Sequence, residues 1–150
     1  MISPNGEGRN SEVELTMNDL RIGQTAESSK RITDVDLSLF AVVTGDFNPV
    51  HFDPVYASGT YFKEPIVHGI IPVGLVSAVI GMKLPGPGSV FIQQTANFLA
   101  PVKVGDVITA SVEIIELLEK RRIRLRTKCV NQQGVTVLEG EALVSVPKKG

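Results

Sequence analysis

From residue 107 onward the chain alternates between apolar and polar positions. In residues 107–115, Ile108, Ala110, Val112 and Ile114 alternate with Thr109, Ser111 and Glu113, the period of a strand with one dry and one wet face. Ile123, Leu125, Thr127 and Cys129 alternate in the same way with Arg122, Arg124, Arg126 and Lys128, and residues 118–121 read as the connecting turn. A second turn at 131–134 leads into residues 135–146, where Gly140, Ala142, Val144 and Val146 share a face; residues 89–98 form a further strand-like segment. Before these strands the period changes. Ile70, Ile71, Val73, Leu75, Val76, Ala78, Val79, Ile80 and Met82 leave almost no polar face over 70–83. Pro72 fits a first helical turn, and Leu84-Pro85-Gly86-Pro87-Gly88 ends the helix abruptly. A helix apolar on all sides must be wrapped by other elements. One such helix followed by an antiparallel meander predicts the α+β class.

The N-terminal half is less regular. Thr33 with Asp36 reads as an N-cap and its acidic N3 partner, and Val35, Leu39, Phe40 and Val43 recur at helical spacing up to about Thr44. Residues 25–32 suit an edge strand but lack a convincing apolar face, and residues 55–62 suit a short helix or turn that stops at Glu64-Pro65. Residues 1–18 are rich in Gly, Asn, Ser and Glu and are expected to form a disordered tail ahead of one domain over 19–150. A formal net charge of -1 gives no general attraction to nucleic acid or to an anionic membrane. Small-molecule partners are expected instead. The lone Cys129 cannot make an intramolecular disulfide, and its place in an alternating pattern suggests a buried thiol in a reducing compartment. No basic-then-apolar leader opens the sequence, and the apolar stretch at 70–82 is too short to span a bilayer, so a cytoplasmic protein is expected.

The chemistry concentrates in Thr44-Gly45-Asp46-Phe47-Asn48-Pro49-Val50-His51-Phe52-Asp53-Pro54, which holds one of only two histidines. Gly45, Pro49 and Pro54 keep it from running on as a regular helix. A carboxylate and an imidazole on a shaped loop can share one water, the acid group as base and the imidazole as acid. Asp, Asn, Pro and Gly are also ordinary turn formers, so Asp46 or Asn48 can equally satisfy backbone N–H groups while His51 packs its ring.

Phe40, Thr44, Gly45-Asp46-x-Asn48-Pro49-x-His51 and Ala57 together resemble the hydratase motif of the (R)-specific enoyl-CoA hydratases, within the MaoC-like dehydratase family. The resemblance continues through Pro65-Ile66-Val67-His68-Gly69, Leu84-Pro85-Gly86-x-Gly88-Ser89 and Pro101-Val102-x-Val104-Gly105-Asp106, and covers roughly residues 22–147. It implies a hot-dog fold, in which an antiparallel sheet wraps a long central apolar helix. It also implies a coenzyme A thioester substrate and reversible hydration of a trans-2-enoyl group to the (R)-3-hydroxyacyl group. By the same resemblance Asp46 is the general base, His51 the general acid, and Asn48 helps to hold the water. Gly69 offers its amide to the thioester oxygen, Ser77 lies near the catalytic pair and Ile80 reads acyl-chain length. His68 is expected to be a structural hydrogen-bonding residue. No cofactor is implied, and a homodimer is expected because a single hot-dog layer leaves a sheet face and edge to cover.

Other readings stay open. Asp46, His51 and Asp53 are of types that bind divalent metal, although enoyl hydration needs no Lewis acid if an amide polarises the carbonyl. Arg122, Arg124, Arg126 and Lys128 suit coenzyme A phosphates or a partner, yet alternation alone produces such a solvated stripe. The chain also fits a dehydratase of acyl-carrier-protein, branched or dicarboxylic thioesters, or a non-catalytic acyl-CoA-binding hot-dog subunit. A hot-dog thioesterase would leave the paired Asp46 and His51 unaccounted for.

Overall fold

The structure, a computed structural model, describes residues 15–148. Most of the expected tail therefore lies outside the described residues. Within the part described, Thr16 N–H donates to Asp19 Oδ2 at 2.8 Å to start a single 3-10 turn, Met17–Asp19. Leu15 and Met17 pack against the core.

The sheet is built from β1 (Thr25–Arg31), β2 (Val90–Gln94), β3 (Asn97–Phe98), β4 (Val107–Leu118), β5 (Arg122–Val130) and β6 (Thr136–Ser145). The strands lie in the order β1-β4-β5-β6-β2, with β3 also on β6 and all pairs antiparallel. The alternating residues behave as their pattern predicts. Ile108, Ala110, Val112 and Ile114 of β4 and Ile123, Leu125, Thr127 and Cys129 of β5 are buried, while their neighbours face water. Burying a Val, Leu or Ile contributes about 1.5–3 kcal/mol, whereas an exposed ion pair contributes about 1 kcal/mol at most, so the dry face holds the sheet together. The basic stripe of β5 is a solvated face. Arg124 and Arg126 stand opposite Glu116 and Glu113 and meet them at 3.0 and 3.5 Å.

β1 is an edge strand, polar along nearly its whole length. Residues 89–98 form two pieces instead of one continuous strand, and the reason lies on β6. A Cβ at Gly140 would fall 2.0 Å from the Thr95 carbonyl oxygen, so the chain crosses β6 closely where Thr95 N–H donates to Glu141 O and Glu141 N–H donates to Thr95 Oγ1. Gly140→Ala should therefore force the two backbones apart and lower stability by on the order of 3 kcal/mol in urea denaturation.

The helices are α1 (Asp34–Thr44), α2 (Pro49–Phe52), α3 (Pro54–Ser58) and α4 (Ile70–Met82). α4 lies on the dry face of the sheet, chiefly against β4, and buries Pro72, Val76, Val79 and Ile80. This is the arrangement the resemblance implied, with one correction. The helix is not wrapped on all sides: Ile70 is 54 % and Met82 66 % exposed, and with Gly74 and Ala78 they form an exposed stripe at four-residue spacing. Apolarity all round implied that the stripe is covered, and this chain itself does not cover it.

Cys129 sits in the core beneath α4, where Sγ–H donates to Pro72 O at 3.5 Å, and burial pushes its thiol up to about 12. The thiolate is the reactive form. Native protein at pH 8 should thus leave a chromogenic disulfide reagent unreacted over hours, with one equivalent released on addition of guanidinium.

Candidate active site

α1 begins with the box read from the sequence: Asp36 N–H donates to Thr33 Oγ1 and Thr33 N–H to Asp36 Oδ2. It ends at Gly45, whose φ of 79° turns the chain out of the helix while its N–H donates to Ala41 O at 2.8 Å. A side chain at that φ is strained, which accounts for glycine here. Asp46 follows at once. The segment after it is not loop throughout, because Asn48 caps α2 by accepting from Val50 N–H at 3.2 Å and Pro49 occupies the first helical position. His51 therefore stands on a helical turn. Asp53 caps α3, accepting from Val55 and Tyr56 N–H.

Turn-forming and functional readings of this stretch coexist. Asp46 Oδ1 accepts from Asn48 N–H at 3.2 Å, and Asn48 Oδ1 is committed to its cap. His51 Nδ1 lies 2.8 Å from Ile66 O. A carbonyl only accepts, so Nδ1 carries the proton and Nε2 is the nitrogen left for chemistry. Ile66 N–H returns a bond to Val50 O at 3.2 Å, docking α2 on the 66–68 segment.

Folding brings Asp46, His51 and His68 together, with a carboxylate oxygen and one ring nitrogen of each histidine within 4.8 Å of one another. His68 is buried, its Nε2–H donating to Asp46 O at 3.0 Å and its Nδ1 left without a partner. The two imidazoles stack with centroids 3.9 Å apart at 30°. His51 Nδ1–H is committed to Ile66 O and His68 Nε2–H to Asp46 O, which leaves one nitrogen on each ring. Asp53, the third ligand considered from sequence, is not part of the trio.

Gly69 follows His68 and is the residue from which α4 starts. Its φ of -57° is open to any residue, but space is tight: a Cβ would lie 3.2 Å from the ring of the exposed Phe98, which would have to give way slightly. Among the described residues its N–H donates no hydrogen bond. A free amide at a helix N-terminus favours negative charge. Beside it opens an apolar cavity of about 370 Å³ whose lining includes Tyr61, Phe62, His68, Gly69, Phe98 and Leu99. A second cavity, about 350 Å³, touches His51 and Phe52 and carries the charges of Asp34, Glu64 and Lys103. Hydrogen bonding to Glu64 raises the Lys103 ammonium above its ordinary value.

Two expected residues stand apart. Ser77 is half-buried on α4 and its hydroxyl makes no hydrogen bond among the described residues, to Asp46 or to its own helix. Ile80 is 2 % exposed in the core and lines neither cavity. Phe98 was not anticipated. It reaches Gly69 through the pairing of β3 with β6, a long-range contact with no local signal.

The sequence profile described as MaoC like domain matches residues 17–139. Over 136 residues the chain is 48% identical to the 3-hydroxybutyryl-CoA dehydratase of Methylorubrum extorquens, covering 90% of this chain and 86% of that protein. It is 41% identical over 134 residues to the (R)-specific enoyl-CoA hydratase of Aeromonas caviae, covering 89% of this chain and 100% of the other. Among solved structures, the unliganded R-hydratase PhaJ1 of Pseudomonas aeruginosa superposes with a TM-score of 0.83 at 45% identity, over 88% of this chain and 85% of that one.

Proposed function

The chain belongs to the MaoC-like domain family, and from that membership we propose that it catalyses the reversible syn hydration of trans-2-enoyl-CoA to (R)-3-hydroxyacyl-CoA. The observation that supports the reading is the meeting of Asp46, His51 and His68 within 4.8 Å, with Gly69 next in the chain and its amide without a hydrogen bond among the described residues. In hydration Asp46 takes a proton from water, the hydroxyl adds to C3, and charge moves onto the thioester oxygen. Gly69 N–H, aided by the N-terminus of α4, stabilises that enolate. His51 enters as imidazolium, keeps Nδ1–H on Ile66 O and delivers Nε2–H to C2. The proton gained by Asp46 then returns to His51 through solvent. Asn48 and Ser77 are assigned to the water and to the approach of the substrate.

Addition from a dyad on one short segment reaches one face of the double bond. Crotonyl-CoA in deuterium oxide should lose its enoyl absorbance and yield (R)-3-hydroxybutyryl-CoA with deuterium at C2 on the face that received the hydroxyl. An (S) product, or anti-placed deuterium, would sink the assignment. A parallel reaction with an acyl-carrier-protein thioester separates the two carriers, and thiol release without hydration would indicate a thioesterase.

Ile80 is proposed as a wall of the acyl tunnel. Ile80→Ala should raise activity on longer enoyl chains relative to crotonyl-CoA, at a stability loss of about 2–5 kcal/mol. An unchanged chain-length profile in the folded variant leaves the apolar cavity beside Gly69 as the acyl site.

The homodimer is likewise our reading, supported by the apolar stripe on α4 and by the exposed Val90, Phe91 and Ile92 of edge strand β2. Light scattering at micromolar concentration tests it. No described helix is long and apolar enough to cross a membrane. A cytoplasmic location, supported by the unpaired Cys129, belongs to the same proposal.

A further inference from the structure

We propose that His68 is a positioning residue for this reaction: a single buried ring that holds the backbone of Asp46 through its N–H and the imidazole of His51 through its face. The proposal rests on the reading of Asp46 and His51 as base and acid, and concerns how their spacing is set.

Asp46 has few ties to the rest of the protein. Its N–H donates to Thr44 Oγ1 and its Oδ1 accepts from Asn48 N–H, both within its own exposed turn. The bond from His68 Nε2–H to its carbonyl, 3.0 Å long, is the one hydrogen bond that joins it to a distant part of the chain among the described residues. His51 is held from the same short segment, by Ile66 O at 2.8 Å and by the His68 ring at 3.9 Å. Two anchor points two residues apart therefore set both catalytic groups. The segment between them is itself fixed, because Val67 is buried and its N–H donates to Val102 O at 2.7 Å. The His68 ring cannot wander either, with the Phe40 ring 4.6 Å away and the Phe52 ring edge-on at 5.6 Å.

The identity of the residue follows from these two contacts together. A ring wanted only for packing is better supplied by Phe, which brings no polar atom into the core. A donor wanted only for the Asp46 carbonyl is supplied by Gln or Asn. Histidine meets both needs and leaves one mark, the buried Nδ1 that has no partner. With the proton on Nε2 that nitrogen is a bare acceptor, and the other tautomer would break the hold on Asp46.

Two variants separate the contacts. His68→Gln keeps a donor and loses the ring; His68→Phe keeps a ring and loses the donor. Each should lower kcat for crotonyl-CoA about 10²-fold with KM nearly unchanged, the loss expected when reacting groups are misplaced by about 1 Å. The decisive readout is non-additivity. In an Asp46→Asn background, His68→Phe, which loses the donor to Asp46, should cost little more, because positioning a base that is no longer there has no value. Multiplicative losses, or folded variants with kcat close to that of the parent, would overturn the proposal. Should both variants fail to fold, the nitrogen-15 imidazole spectrum of the unaltered protein decides. It should show His68 with hydrogen on Nε2 and none on Nδ1, and the opposite tautomer overturns the proposal. A parent protein inactive on every enoyl thioester overturns the base and acid reading and this proposal with it, whereas an active parent with active His68 variants overturns this proposal alone.

Discussion

Asp46→Asn and His51→Gln should each remove most hydratase activity, lowering kcat by about 10²–10⁴-fold, while the double variant is little worse than either single one. The reason is that base and acid act in one addition. With Asp46 amidated the water is not deprotonated, and with His51 replaced C2 receives no proton, so either loss halts the same step. Neither substitution should unfold the protein. Asp46 is exposed and Asn retains an oxygen for the Asn48 N–H, and Gln at 51 offers a donor within reach of the Ile66 carbonyl. Steady-state rates on crotonyl-CoA, with circular dichroism to confirm the fold, measure the effect. A folded single variant retaining half the parent rate would end the assignment.

What could be read from the sequence were the features encoded by neighbours along the chain. The two-residue period of β4 and β5 and the Thr33–Asp36 box are local patterns, and each appears where it was expected. Even the helical turn under His51 was written in Asn48-Pro49, an N-cap followed by an N1 proline, but it was read as loop because proline and glycine dominate the stretch. Features decided by distant residues were not legible. The break between β2 and β3 depends on Gly140 of β6, and the ring over Gly69 comes from Phe98. The apolar pattern of α4 correctly gave a helix packed on the sheet, but it implied cover on all sides, and in this chain Ile70 and Met82 are left exposed.

The dyad also depends on contacts that no spacing predicts. Asp46 and His51 are near in sequence, but the groups that orient them, Ile66 O and His68 Nε2, arrive from the segment leading into α4. That segment ends at Gly69, so one run of chain supplies the anchor of the proposed acid, the anchor of the proposed base and the amide proposed for the thioester oxygen. On the proposed reading, base, acid and oxyanion donor are thereby coupled geometrically, as a reaction at C3, C2 and the thioester oxygen requires.

The amide can be tested apart from the space around it. Gly69→Ala and Gly69→Pro both add a Cβ facing the Phe98 ring, but only proline removes the N–H. At residue 69 itself a φ of -57° is close to that fixed by proline, and the N–H has no partner to lose among the described residues. The difference between the two variants therefore isolates the amide. If Gly69 N–H stabilises the enolate oxygen, the proline variant should have kcat about 10²–10³-fold below the alanine variant, the usual loss for one oxyanion donor. Thermal unfolding of both variants controls for damage to α4. The remaining N-terminal amides of that helix keep their dipole in both proteins, so a general field effect cancels in the comparison. Equal kcat in the two folded variants would move the carbonyl away from Gly69 and require another donor for the enolate.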